Sequence, residues 1–157
     1  MGQMHEHPNG RMSAYGSLVL QTVISGIIMY LVMFVMIDSV DSFYNNLNMF
    51  YMTLMMVAPM VVLMILGMRG MFPSKGANVT LIAVSLIAFF GSFALIRTQT
   101  TIGDTAFLRS MIPHHSGAIL MCREARLTDP EVVRLCEAIE QSQRQEIDEM
   151  KAILARQ

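Results

Sequence analysis

The run 111-MIPHHSGAILMC-122 sets two adjacent histidines between methionines and just ahead of a cysteine. Imidazole nitrogen, thioether sulfur and thiolate are donors for soft metals; thioether and thiolate select Cu(I), imidazole accepts Cu(I) or Cu(II), and Mg2+ or Ca2+ would choose oxygen instead. A thioether also needs no deprotonation to bind and is not drawn into disulfides, so it stays a ligand in acidic or oxidising surroundings. Leu108, Met111, His115, Ala118, Cys122 and Ala125 recur at alternating spacings of three and four, which puts them on one seam of a helix, with His114 and Met121 beside it.

That seam needs a partner, and the sequence supplies one. Asp104 can cap the first helix, which is expected to run to about Leu127 with a kink at Pro113, and 128-TDPE-131 reads as a capping box opening a second helix that continues to about Ala155. The second seam is Val132, Cys136, Ile139, Gln143, Glu146, Met150 and Ile153. In an antiparallel hairpin turning near Asp129, Cys122 faces Cys136, His115 faces Gln143, and Glu146 and Met150 lie near Met111. The expected cluster is Met111, His114, His115, Gln143, Glu146 and Met150, with Met121 and the cysteines toward the turn. Gln143 would orient an imidazole from outside the ligand set. Cys122 and Cys136 would form either a bridge or a reduced pair adding thiolates for Cu(I). Packing is the competing account: Met fills gaps in helix seams, and a His-Gln-Glu layer can serve only to fix helix register.

The elements that carry this hairpin are unlike it. Of the 157 residues, 54% are hydrophobic, and of the 11 Lys and Arg and 12 Asp and Glu only Glu6, Arg11, Asp38, Asp41, Arg69 and Lys75 precede residue 97. Leu18 to Ile37, Met49 to Met68 and Val79 to Ile96 are uncharged apolar runs near the ~20 residues that cross a bilayer core. The first lacks the basic start and small-residue cleavage pattern of a signal peptide, so an uncleaved anchor is expected. The expected architecture is all-α: a tail (1–17), a membrane domain of three transmembrane helices (18–96) and a helical hairpin (97–157). The loop 38–48 is acidic, whereas Arg11 and the Arg69–Lys75 loop are basic, which places the N-terminus in the cytoplasm and the hairpin outside it. A bacterial inner membrane with a periplasmic or extracellular hairpin is the localisation expected. The hairpin's near balance of charge offers no footprint for nucleic acid.

The segments 107-FLRSMIPHHSGAILM-121 and 129-DPEVVRLCEAIEQSQRQEIDEMKAIL-154 resemble the domain of unknown function 305 family, with its Met-Ile-Pro-His-His core at Met111 to His115 and its Gln-x-x-Glu-Ile-x-x-Met at Gln143 to Met150. The resemblance implies a ferritin-like helical domain, often extracytoplasmic, in which His and Met bind copper or silver. It does not extend to Cys122, where the family often has a small apolar residue, nor to the membrane region. Two helices bury little surface alone, so a homo-oligomer completing a four-helix bundle is expected.

Methionine is abundant beyond the hairpin, at 17 residues. Met49, Met52, Met56, Met60, Met64, Met68 and Met71 form a helical stripe in the second span, and Met29, Met33 and Met36 a shorter one in the first. Their Met-x-x-x-Met spacing is similar to that of the second span in eukaryotic copper-uptake trimers. No ionisable group lies in the spans, which argues against proton coupling. The histidines of 4-MHEH-7 read as a solvated tail. Glu-x-x-His repeats, zincin motifs and nucleophile elbows are absent, so no enzyme is expected. The function expected is storage, delivery or tolerance of Cu(I), with Ag(I) or Cu(II) as alternatives, in exchange with a copper donor or acceptor protein. The alternatives are a copper conduit along the methionine stripe and a membrane-anchored oligomerisation scaffold.

Overall fold

A computed structural model describes residues 13–157. Arg11 and the 4-MHEH-7 run lie outside the described residues. The described chain holds five α-helices and no strand: α1 (Ala14–Val32), α2 (Leu47–Gly67), α3 (Lys75–Thr98), α4 (Asp104–Glu124) and α5 (Pro130–Leu154).

The helices begin where polar caps stand, slightly ahead of where hydropathy alone would start them. Ser13, Asn46 and Ser74 each accept a hydrogen bond from a backbone N–H in the first turn of α1, α2 and α3. In α4 the expected cap is displaced: Gly103 holds the N-cap position without a side-chain bond, and Asp104 is the first helical residue, where its charge faces the positive end of the helix dipole. Helix α4 ends at Glu124, before Leu127. Asp129, rather than Thr128, caps α5 by accepting from the Glu131 N–H at 2.8 Å, with Pro130 in the first turn.

The first three helices are long and apolar enough to cross a membrane, counting the 3-10 turn Met33–Met36 as the end of the first. Only 11%, 28% and 11% of the three spans is buried, so most of their apolar surface faces outward, which water would penalise and a bilayer would not. Helix α2 is central: its main contact is with α3, where Ala58 lies near Ser85 and Ala88, and Thr53 faces Met33 at the end of α1. At one end Leu18, Val61, Ile65 and Phe72 form a core, closed by Tyr15, whose hydroxyl donates to Asn78 Oδ1 at 2.9 Å. The methionine stripe of α2 runs along the edge of this bundle: Met60 and Met64 are half-buried, while Met52, Met56, Met68 and Met71 are exposed.

At the opposite end, α4 lies across the α1–α2 connection and the start of α2. Gly117 lets the backbones approach, since a Cβ there would sit 3.4 Å from the Met36 carbonyl oxygen. Beside it the Asp38 N–H donates to Ser116 Oγ at 2.7 Å, and Ser116 is fully buried. The Asp38 carboxylate receives Arg123 from α4 and lies 3.7 Å from Arg144 of α5. Asn48 donates to Ser110 Oγ at 3.3 Å, and Tyr51 and Thr101 share a hydroxyl hydrogen bond of 2.9 Å. The hairpin is thus fixed to the membrane-type part. Replacing Ser116→Ala leaves the Asp38 N–H without its partner, so it should destabilise the docked hairpin by about 1 kcal/mol. Amide exchange in detergent should then show faster exchange at Asp38; unchanged protection would show that the Ser116 bond is not what holds the junction.

Candidate metal centre

Helices α4 and α5 pack antiparallel around Leu108, Ile112, Ile119, Ile147 and Met150, with Tyr44 of the α1–α2 connection covering one side. Cys122 and Cys136 are joined as a disulfide with their Cα atoms 5.3 Å apart, closing the hairpin near its turn. Of the two valines at the start of α5, Val133 is half-buried and Val132 is exposed, so the inward seam begins one residue later than the spacing indicated.

His115 is buried on α4, and its Nδ1 lies 3.0 Å from Glu146 Oε2. The contact does not have hydrogen-bond geometry, and Nδ1 is a buried nitrogen without a hydrogen bond. The other carboxylate oxygen, Glu146 Oε1, accepts from Ser142 Oγ at 2.7 Å. Burial lowers the His115 pKa below its usual 6.5; Glu146 opposes that shift and His114 adds to it. Near pH 7 the imidazole is therefore neutral and carries a lone pair. His114 is exposed, its ring 6.1 Å from that of His115 and tilted edge-on.

Glu146, not Gln143, is the residue that meets His115, and Gln143 makes no hydrogen bond to either histidine. The reason lies in side-chain direction. Side chains on a helix tilt toward its N-terminus, so in an antiparallel pair His115 leans away from the hairpin turn while Glu146 leans back toward it. The two meet between their backbone levels, whereas Gln143 leans past the histidine.

The methionines divide. Met111, one turn before the histidines, is half-buried at the edge of the core. Met150 is inside the core at 8% exposed and packs as an apolar residue. Met121 is 55% exposed and lies seven residues beyond His114, about 10 Å along the helix, so it does not join the histidine cluster. Among the described residues no three His, Cys, Asp or Glu side chains converge as a metal site. The structure brings His115 and Glu146 together, with His114 beside His115 and Met111 one turn earlier on the same helix. Ser116, Gly117, Asp38, Arg123 and Arg144, which hold the hairpin in place, carried no functional signal in the motif reading. The small Ser116-Gly117 pair within an apolar helix is the feature that marks the close approach.

This is an all-helical protein with three membrane-length helices and a disulfide-closed hairpin bearing a buried imidazole-carboxylate pair. Residues 93–154 match the family described as domain of unknown function (DUF305). An uncharacterized protein of Acanthamoeba polyphaga mimivirus is 36% identical over 119 residues, which cover 74% of this chain and 76% of the viral protein. The chain belongs to the DUF305 family. No solved structure matches it.

Two outcomes follow from this geometry. Because the folded-state pKa of His115 is lowered, the unfolded chain takes up the proton first as pH falls. The contribution is full above about pH 6.5 and is lost as pH drops from there through the folded-state value. Thermal melts in detergent should fall across that window, and the fall should be smaller in His115→Asn; parallel curves would refute the assignment. Reducing the disulfide, whose cysteines are 14 residues apart, should cost the hairpin roughly 3 kcal/mol. Denaturant titration with and without reductant measures this, and equal midpoints would contradict it.

Proposed function

We propose that the protein is a membrane-anchored binder of Cu(I) or Ag(I), serving storage, delivery or tolerance of the metal. The observation that carries this reading is the buried Nδ1 of His115, close to a carboxylate oxygen yet not hydrogen-bonded to it. Donors each about 2 Å from a common ion stand roughly 3 Å apart and aim at the ion rather than at each other. The neutral imidazole, the Met111 thioether and the adjacent His114 make a donor set that softness matches to Cu(I), and Glu146 supplies negative charge beside it. With both cysteines in the disulfide, thiolate does not enter the set. When bound, the metal would supply the charge that satisfies Nδ1.

The same reading puts the hairpin on the oxidising side of a plasma or inner membrane, because a disulfide persists there and the Arg69–Lys75 loop favours the opposite face. A second copy would complete a four-helix bundle, and the exposed Val132 and Leu135 of α5 offer apolar surface for it. Metal would then pass to or from a copper donor or acceptor protein. A second reading, an oligomerisation scaffold whose histidine layer fixes helix pairing, is favoured by the burial of Met150 in the core.

Chelator competition for Cu(I) separates the two. Wild type should retain copper, His114→Ala/His115→Ala should lose it, Glu146→Gln should weaken it by about 10–100-fold, and Met121→Leu should bind as wild type does. Copper at background in wild type, or unchanged retention with an altered oligomeric state in the histidine variant, would replace this reading with the scaffold.

A further inference from the structure

Where α4 crosses the end of the helix bundle it roofs a cavity of about 390 Å3, bounded by Tyr30, Asn45, Asn46, Thr105 and Arg109. Tyr30 donates to Asn45 Oδ1 and accepts from the Asn46 N–H, so the oxygen atoms here are engaged. Among the described residues the Arg109 guanidinium has no carboxylate partner and the Asn45 amide nitrogen has no acceptor. Two exposed donors without a protein acceptor, one of them cationic, therefore border the same cavity.

Below it, sharing Tyr30, a second cavity of about 450 Å3 runs between α1 and α2, walled by Val23, Ile27, Leu31, Phe50, Leu54 and Val57. A third, of about 230 Å3, shares Val23, Leu54 and Val57 and continues to Leu18. From Tyr30 this apolar groove spans about 18 Å of helix to Leu18, in the core at the opposite end of the bundle. Gly26 lines the groove opposite Val57.

We propose that this is a phospholipid site, with the lipid phosphate held by Arg109 and Asn45 and one acyl chain lying in the α1–α2 groove. The inference rests on α1, α2 and α3 spanning a bilayer and is independent of the metal reading. Charge decides the occupant. A cation above an apolar groove complements a phosphate on a chain, whereas a second copy's helix would leave Arg109 unanswered, and apolar walls alone give helices little reason to associate in lipid.

The test uses the full chain reconstituted in vesicles of phosphatidylglycerol and diacylglycerol, extracted in mild detergent and weighed by native mass spectrometry. Wild type should retain phosphatidylglycerol with roughly tenfold preference over diacylglycerol. That preference should vanish in Arg109→Gln, retention of either lipid should be lost in Gly26→Phe, and millimolar inorganic phosphate should displace nothing. Flotation reports membrane insertion separately, and chelator competition should leave copper retention in both variants unchanged. Equal retention of the two lipids by wild type, an unaffected Arg109→Gln, displacement by free phosphate, a protein dimer in place of bound lipid, or failure to float would each overturn the proposal.

Discussion

A buried imidazole nitrogen must be satisfied, and in this protein the protein itself does not hydrogen-bond it. The Nδ1 of His115 lies against Glu146 at 3.0 Å without forming a hydrogen bond. Leaving such an atom unpaired costs about 1–3 kcal/mol. The hairpin nevertheless invests in holding it there: Leu108, Ile112, Ile119, Ile147 and Met150 fix the two helices, and the Cys122–Cys136 bridge closes their far end. Protonating the ring would bring it nearer to Glu146 electrostatically, yet burial opposes the charge. Under the proposed reading, a soft cation shared between imidazole, thioether and carboxylate would resolve the conflict.

The hairpin is held to the membrane-type helices by a junction with little room for adjustment. Gly117 meets the Met36 carbonyl, Ser116 receives the Asp38 N–H, and Arg123 and Arg144 approach the Asp38 carboxylate. Ser116 and Gly117 immediately follow His115, so part of the anchor and the two histidines share one turn of α4. Any rearrangement at the histidines would be felt at the α1–α2 connection.

Much of this was legible in the chain. Long uncharged runs, polar caps and a Pro-containing turn specify five helices, and alternating spacings of three and four bring Cys122 opposite Cys136. The finer pairing was not, because residue counting places backbones while chemistry depends on where side chains lean; hence Glu146 at His115 in place of Gln143. Met121 lies toward the turn, as its place in the chain indicates. Its spacing puts it beside the seam, but two helical turns separate it from His114, and spacing around a helix carries no penalty for distance along it. Met150 satisfies both conditions and still packs as core, since a thioether serves either purpose and only its surroundings distinguish them. The Asp38 junction joins residues far apart in sequence, and an acidic loop residue gives no sign of which arginine it will meet.

The central claim concerns a single atom, so the most direct measurement observes that atom. Side-chain 15N NMR of the histidines, followed during Ag(I) titration of the full chain in detergent, reports the state of His115 Nδ1. This account predicts that the Nδ1 resonance begins as an uncharged nitrogen and moves in proportion to added metal until the site is filled. An Nδ1 resonance that stays unmoved at saturating metal, with the signature of an N–H held by Glu146, would contradict it.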